Sequence, residues 1–487
     1  MGKNLNGIEP QIIWDNFESL CQVPRPSKKE EKVIGFMKKW AAEHNFETAQ
    51  DKTGNLVIRK PASPGMENRK PICIQGHVDM VCEKNRDVEF DFDNDPIQPY
   101  IDGDWVKARG TTLGADNGIG VAMGMALMTD PTVKHPPIEL LCTLDEETGL
   151  TGAITLATDL LKCKILINLD SEEDGHFTIG CAGGINTSAV FKYEKDEVPS
   201  GSVAYEIGIK GGRGGHSGIE IHDGRANGAK FLARLLFNLT KRFDIRLANF
   251  DSGNKHNAIP REGFALVTLP ASQEKEFTAY LESFDKMIKN EYHTKEPDLA
   301  AVCTKKDLPA KVMTKDLQRR IIYSFHIMPH GVVRMSPDIK GLVQTSTNFA
   351  VIQTLDNEIT VLTSQRSSVE SEKYAIAERV AAVLEFAGAE VKMGDGYPAW
   401  EPNMNSVILN EAVGIYEKMY GKKPVIEAIH AGLECGLIGE KYPGMDMLSF
   451  GPNLEEVHTP NERIQISSTL RTWNLLKEIV NNIPENK

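Results

Sequence analysis

Apolar and polar positions along the chain follow two periods, and the period changes with position. Residues 29–45 repeat apolar positions at helical spacing and predict an amphipathic helix. Short apolar runs at 71–75, 138–144 and 164–169 predict buried strands. The stretch GADNGIGVAMGMALM, from Gly114 to Met128, reads as a loop opening a buried helix with small residues on one face. Strands and helices that alternate in this way predict an α/β sheet covered by helices.

From about residue 203 the pattern turns to β-rich units followed by helices. SVAYEIGIKG and FALVTLPA read as strands, and GRANGAKFLARLLFNLTKRF and EFTAYLESFDKMIKNEY as helices. A similar set follows in TSTNFAVIQTLDNEITVLTSQRS and KYAIAERVAAVLEFAG, which suggests two related α+β halves. Near 393 the chain enters the Gly/Pro-rich GDGYPAWEPN, then a helix, HAGLECG, the apolar strand MDMLSF and a last helix. That final segment is too small to stand alone, so it is expected to return to the first sheet. The expected division is 1–187 with 393–487 as one domain, and 188–392 as an inserted α+β domain.

A chain of 487 residues exceeds one ordinary core and calls for two or three units. With 41% hydrophobic and 25% charged residues it has the composition of a globular protein. The balance of 68 acidic against 55 basic residues gives a net charge of −13, which disfavours a general nucleic-acid binder. The N-terminal segment lacks the basic start and apolar core of a signal peptide, and no 18-residue apolar run occurs, so a cytoplasmic protein without a membrane span is expected. Eight cysteines occur without a C-x-x-C pair and read as reduced thiols.

Candidate chemistry gathers where strands end. PICIQGHVD carries His77 and Asp79, IELLCTLDEE carries Glu146 and Glu147, ILINLDSEED carries Asp170, and MDMLSFGPNLEEVHTPNE carries His458. Asp116 adds an acid in the Gly-bracketed TLGADNG. Singly, each has a plainer reading: a His or Asp after a strand is commonly a turn residue, and three adjacent acids commonly form a solvated loop. Jointly, in an open α/β sheet, they converge on the crevice outside the carboxyl ends of the strands. Two His and four or five carboxylates suit a two-metal site of mixed N/O ligands, zinc first, with manganese or cobalt also fitting. Glu146 and Glu147 could then divide metal binding and proton transfer between them. Asp79 is spaced to accept the second ring N–H of His77.

Longer motifs add a resemblance. QGHVDMV, ARGTTLGADNGIG, LDEETG, INLDSEEDG, GCAGGI, GGHSG, HNAIPRE, HAGLECG and HTPNE, spread from about 70 to 465, resemble the M20 family of metallopeptidases and, within it, the aminoacyl-histidine dipeptidase branch. The resemblance implies a zinc-peptidase-type catalytic domain with a mixed sheet flanked by helices, the inserted domain serving as a lid. It implies that His77, Asp116, Glu147, Asp170 and His458 bind two zinc ions, with Asp116 bridging and followed by a cis peptide. Glu146 would be the general base, Asp79 the orienting carboxylate and His216 the lid histidine that steadies the oxyanion. Asn257, Arg366 and Gly432 resemble residues that hold the substrate; from the sequence alone Arg366 reads equally well as a surface charge at a strand end. The glycine density of GGRGGHSG predicts a mobile loop around His216.

The expected activity is hydrolysis of short peptides with a free N-terminal residue, Xaa-His dipeptides above all. Rival readings are an M20 tripeptidase, an N-acyl amino acid deacylase and, from another class, a non-catalytic metal- or peptide-binding module. A nucleotide site at GGRGGHSG is excluded because no P-loop Lys-Ser/Thr follows it. The expected partners are a small peptide and, compatible with the family, a second copy in a homodimer. Asp145 receives no role from the sequence.

Overall fold

The computed structural model describes residues 4–486; residues 1–3, the start of the segment read for a leader, and residue 487 lie outside the described residues. The chain divides into two units, one formed by the segment through Cys181 with Pro402–Ala428 and the chain from Leu433 on, the other by Ala182–Glu401 with Ile429–Gly432.

The first unit is built on an eight-stranded mixed sheet. Its four middle strands run parallel in the order Ile138–Thr143, Ile72–His77, Ile165–Asn168, Asp446–Ser449. Every residue of the first three is buried, because helices and loops cover both faces. That is why these strands read as unbroken apolar runs and not as alternation. Antiparallel strands flank the four, with Leu56–Lys60 on one side and His176–Cys181 on the other. The pairing of Asp446–Ser449 with Ile165–Asn168 returns the C-terminal segment to this sheet.

The helix Ala115–Thr129 lies on the sheet and is buried along nearly its whole length. Small residues let it approach closely: a Cβ at Gly124 would collide with Leu140 of the strand Ile138–Thr143. The helix Gln11–Cys21, whose segment the sequence reading considered only as a leader, packs against it and buries Trp14 and Phe17 completely. At the start of the buried helix the peptide Asp116–Asn117 is cis, and both residues depart from helical backbone angles.

The second unit carries a ten-stranded antiparallel sheet. The two suspected halves share it: Asp251–Ser252 pairs with Gly263–Pro270 on one side and with Val343–Thr354 on the other. The strand Gly183–Lys192, which apolar patterning did not single out, joins Glu358–Ser367 to Glu390–Met393. The helices Gly228–Thr240, Glu274–Tyr292, Lys315–Ile327 and Glu370–Phe386 supply Leu235, Phe284, Phe325 and Val380 to the core of this unit. Asn227 caps the first of them by accepting the Lys230 N–H at 3.1 Å.

None of the eight cysteines is in a disulfide. Among the described residues no helix is long and apolar enough to cross a membrane.

Two glycines in helices should respond in opposite directions. Gly124→Val forces extra atoms against Leu140 and should cost about 1–3 kcal/mol in equilibrium denaturation. Gly414 in the helix Val407–Tyr420 has open space around it, so Gly414→Ala should raise stability by about 0.5–1 kcal/mol in the same measurement.

Candidate active site

The parallel strands deliver their polar residues to one edge of the first sheet. His77 is the last residue of its strand, and Asp170 follows Ile165–Asn168 by two residues. After Ile138–Thr143 the chain turns through Asp145, in left-handed conformation, into the short helical turn Glu146–Gly149. His458 arrives from the loop after Leu454–Glu455, also with positive φ, and its side chain is half exposed.

Asp116 joins these groups. Its Oδ1 lies 3.1 Å from His77 Nε2 and its Oδ2 lies 3.1 Å from His458 Nε2. His77 Nε2 is also 3.5 Å from Asp170 Oδ1, and His458 Nε2 is 2.9 Å from Glu147 Oε2. Two triads, His77/Asp116/Asp170 and Asp116/Glu147/His458, therefore share one carboxylate, with one ligand atom of each member within 4.8 Å of the others. Asp170 Oδ1 and Glu147 Oε1 are buried with no hydrogen-bond partner among the described residues. Buried carboxylate oxygens without donors call for cations. The donor set, two imidazoles and three carboxylates with one carboxylate facing both ways, fits two divalent ions of the zinc, manganese or cobalt type.

The electrostatics carry the same message. Burial alone would lower the pKa of His77, but Asp170, Asp116 and Asp79 push it well above the usual imidazole value. Hydrogen bonds to Asp116 and Glu147 push His458 up to about 11. Asp116 is held well below the carboxylate range against its burial, by His458 and His77.

The adjacent glutamates differ in their bonding. Glu147 is tied to His458, and its side chain is only 3% exposed. The Glu146 carboxylate lies in the same cluster as His77 and Glu147, yet accepts no hydrogen bond among the described residues. Burial holds it well above the usual carboxylate pKa; His77 opposes that shift, and Asp170, Glu434 and Glu147 add to it.

Asp79 holds the backbone of both glutamates. Its Oδ1 accepts the Glu146 N–H at 3.1 Å, and its Oδ2 accepts the Glu147 N–H at 3.3 Å and the Ser27 hydroxyl at 2.8 Å. Toward His77 it stands at 3.4 Å from Nδ1, and that nitrogen makes no hydrogen bond. The expected ring contact is thus one of proximity, while the bonds to the Glu146–Gly149 turn were not foreseen. Asp145 gains a structural role: its buried carboxylate accepts the hydroxyls of Thr148 and Thr151, and its N–H donates to Glu30 Oε1 at 3.0 Å.

Two acids that the sequence reading left without a role stand close behind this cluster. Glu462, 2% exposed, accepts four successive backbone N–H groups: Leu113 and Gly114 on Oε2 at 2.8 and 3.0 Å, Ala115 and Asp116 on Oε1 at 2.7 and 3.3 Å. On the same loop the buried Arg25 donates to the Gly114 carbonyl at 2.5 Å, and to those of Val78 and Asp79 at 3.0 and 3.1 Å. Glu434, fully buried, accepts from Gln75 Nε2 at 2.6 Å and Thr143 Oγ1 at 2.7 Å, and burial pushes it up to about 7 against the pull of His77. Both glutamates lie inside quoted motifs, HTPNE and HAGLECG, but nothing in their spacing distinguishes a buried acid from a surface one.

The remaining predicted site residues belong to the second unit. His216 donates its backbone N–H to Glu220 at 2.6 Å, and its Nδ1 accepts the N–H groups of Gly218 and Ile219 at 3.3 and 3.1 Å. With Nδ1 an acceptor, the proton of a neutral ring sits on Nε2; burial, and after it Arg366, lowers the ring's pKa and so favours that neutral form. The loop expected to be mobile is pinned by Arg213 N–H to Glu296 at 2.8 Å, Ile259 N–H to Gly215 O at 2.8 Å and Ser217 N–H to Asn257 O at 2.9 Å. Asn257 is exposed and Gly432 partly buried. Arg366 is 8% exposed, so its reading as a surface charge is replaced by a buried guanidinium within the strand Glu358–Ser367.

Comparison with known proteins fixes the family. Residues 73–482 match the model of peptidase family M20/M25/M40. The chain belongs to this family. It is 41% identical over 480 residues to the cytosol non-specific dipeptidase of Escherichia coli (strain K12), covering 99% of both chains. This M20 chain also superposes on the crystal structure of aminoacylhistidine dipeptidase from Vibrio alginolyticus with a TM-score of 0.94 and 42% identity, over 99% of this chain and 98% of that one. An aminopeptidase of Bacillus cereus shares the fold at 16% identity and a TM-score of 0.57, covering 98% and 99% of the two chains.

The Glu462 clamp can be tested apart from activity. Glu462→Gln replaces one acceptor oxygen by an N–H₂ that faces backbone donors, and should lower stability by about 1–3 kcal/mol in denaturant unfolding. Glu455→Gln, which breaks the exposed pair with Arg463, should change it by about 0.5 kcal/mol or less.

Proposed function

We propose that this M20 peptidase is a two-metal dipeptidase acting on short peptides with a free N-terminal residue, Xaa-His dipeptides among them. The single observation that carries the reading is the pair of ligand triads sharing Asp116, with the unpartnered Glu146 carboxylate beside them. The names of the two relatives that match over the whole chain, a non-specific dipeptidase and an aminoacylhistidine dipeptidase, support dipeptides as the substrate class. The first relative's name also supports the cytosol as the place of action.

His77 and Asp170 would hold one ion and Glu147 and His458 the other, with Asp116 between them. Zinc, or manganese or cobalt in its place, would supply Lewis acidity that polarises the scissile carbonyl and acidifies the attacking water. Glu146 takes the proton of that water and delivers it to the leaving amine nitrogen, a task that suits a carboxylate with raised proton affinity. Asp79 keeps Glu146 and Glu147 in register through their backbone N–H groups. His216, neutral and with its proton on Nε2, is the proposed hydrogen-bond donor to the oxyanion. Asn257 and Gly432 are proposed to line the substrate, and Arg366 to receive its terminal carboxylate, for which a guanidinium fork is suited.

The metal-loaded enzyme should hydrolyse Xaa-His and other dipeptides, and a chelator should abolish turnover until zinc, manganese or cobalt is restored. Chelator-insensitive hydrolysis would refute the mechanism. A preference for tripeptides or N-acyl amino acids in the same assay would move the chain to the corresponding M20 activity, and inertness on all three classes would indicate a binding module. Within the site, Glu146→Ala should retain two equivalents of metal and lose on the order of 10²–10⁴ in kcat. Glu147→Ala should instead lose one equivalent, as read by elemental analysis.

A further inference from the structure

We propose that Tyr397 is the positioning residue that presents Arg366 to the substrate carboxylate, and that Gly184 and Gly432 are glycines because the Tyr397 ring occupies the space of their side chains. The inference rests on the dipeptidase reading and extends it to a residue that binds no metal and transfers no proton.

Arg366 is buried within the antiparallel sheet, opposite Ser346 on the neighbouring strand. Its Nη1 donates to the Tyr397 hydroxyl at 2.7 Å. Its Nε is buried and has no hydrogen-bond partner among the described residues. A guanidinium held through Nη1 keeps its Nε–Nη2 edge for a second partner, and that edge is the side-on fork that matches the two oxygens of a carboxylate. No carboxylate of this chain forms an ion pair with Arg366 among the described residues. Three imidazoles respond to Arg366, which, after burial, lowers the pKa of His216, His256 and His430; Glu220 opposes that shift at His216, and Lys373, paired with Glu370, bonds the Tyr397 carbonyl. His430, 6% exposed, bonds Ser346 Oγ through Nε2 at 2.7 Å and leaves Nδ1 without a partner. A buried cation whose Nε makes no hydrogen bond among the described residues is complementary to an anion supplied from outside the chain. In a dipeptide that anion is the terminal carboxylate.

Tyr397 is itself held firmly. Its N–H donates to Gly184 O at 2.8 Å, and its carbonyl accepts Gly184 N–H at 3.1 Å and Lys373 Nζ at 2.9 Å. A Cβ on Gly184 would stand 2.6 Å from the Tyr397 ring, and one on Gly432 would stand 2.9 Å from it. Side chains at those positions would push the ring, and with it the hydroxyl that fixes Arg366. Gly432, besides lining the substrate, acts in this proposal through the tyrosine.

The test is steady-state kinetics of the metal-loaded full chain on an Xaa-His dipeptide and on its C-terminal amide, for wild type, Arg366→Ala, Tyr397→Phe and Gly432→Ala. Wild type should favour the free acid strongly, and Arg366→Ala should abolish that preference. Tyr397→Phe should raise KM for the free acid on the order of tenfold, with kcat changed by no more than about threefold and the amide's KM unchanged. Gly432→Ala should shift the acid-to-amide ratio in the same direction. A Tyr397→Phe enzyme that keeps the wild-type ratio, or that loses both substrates equally, overturns the inference while leaving the dipeptidase reading intact. Loss of acid preference in neither Arg366→Ala nor Tyr397→Phe overturns the carboxylate role itself, and absence of dipeptide turnover in wild type overturns the activity and the inference together.

Discussion

The position of Asp116 between His77 and His458 depends on a loop whose backbone is gripped from both electrical sides. Four consecutive N–H groups, from Leu113 to Asp116, converge on the Glu462 carboxylate, and the Gly114 carbonyl between them accepts from Arg25. Successive N–H groups that point to one centre form an anion-binding concavity, and here the anion is a side chain of the protein. The acceptor is buried and satisfied by the backbone, so a rearrangement of the loop would leave it unpaired at a cost in free energy. That geometry turns one oxygen of Asp116 toward His77 and the other toward His458.

The parallel sheet supplies what surrounds that carboxylate. Strands running in one direction end at one edge, so residues far apart in sequence, His77, Glu147 and Asp170, gather around Asp116. Immediately behind them a chain of buried amides and hydroxyls links neighbouring strands: Asn168 Nδ2 donates to Gln75 Oε1 at 2.6 Å, Gln75 Nε2 to Glu434 at 2.6 Å, and Ser449 Oγ to Asn168 at 2.5 Å. Such a network fixes the spacing of the strand ends in a region where apolar packing alone would tolerate sliding. The second unit solves a different problem with an antiparallel sheet. Its polar groups, among them Arg366 and His430, are buried and incompletely paired, a state that costs free energy and that a complementary ligand relieves.

Much of this was legible in the chain. The strands Ile72–His77, Ile138–Thr143 and Ile165–Asn168 were visible as apolar runs because burial on both faces removes polar alternation. Their terminal His and acids stood out jointly, because several such runs each end in a potential metal ligand, although singly each could be a turn residue. Strand Gly183–Lys192 and helix Lys315–Ile327 were harder to see, the first because Gly-Gly and Asn-Thr-Ser interrupt its apolar residues, the second because its apolar residues are not confined to the buried face, Tyr323 and Ile327 standing exposed. Arg366 could not be assigned to surface or interior, since nothing in TSQRSS distinguishes the two.

The sequence by itself determined the α/β pattern, the motifs and the identities of the acids and histidines, because hydrophobic periodicity and residue type are local properties. Only the tertiary structure decided how neighbouring residues differ: Glu147 bonded to His458, the Glu146 carboxylate without a hydrogen bond among the described residues, Asp145 turned away to bind two threonine hydroxyls. It also decided that Asp79 holds two backbone N–H groups, that Glu462 closes the Asp116 loop, and that Tyr397 fills the space above Gly184 and Gly432. The reason is physical. Hydrogen-bond partners and burial are set by segments that meet across hundreds of residues, and three adjacent acids acquire different chemistry only when different segments meet each of them.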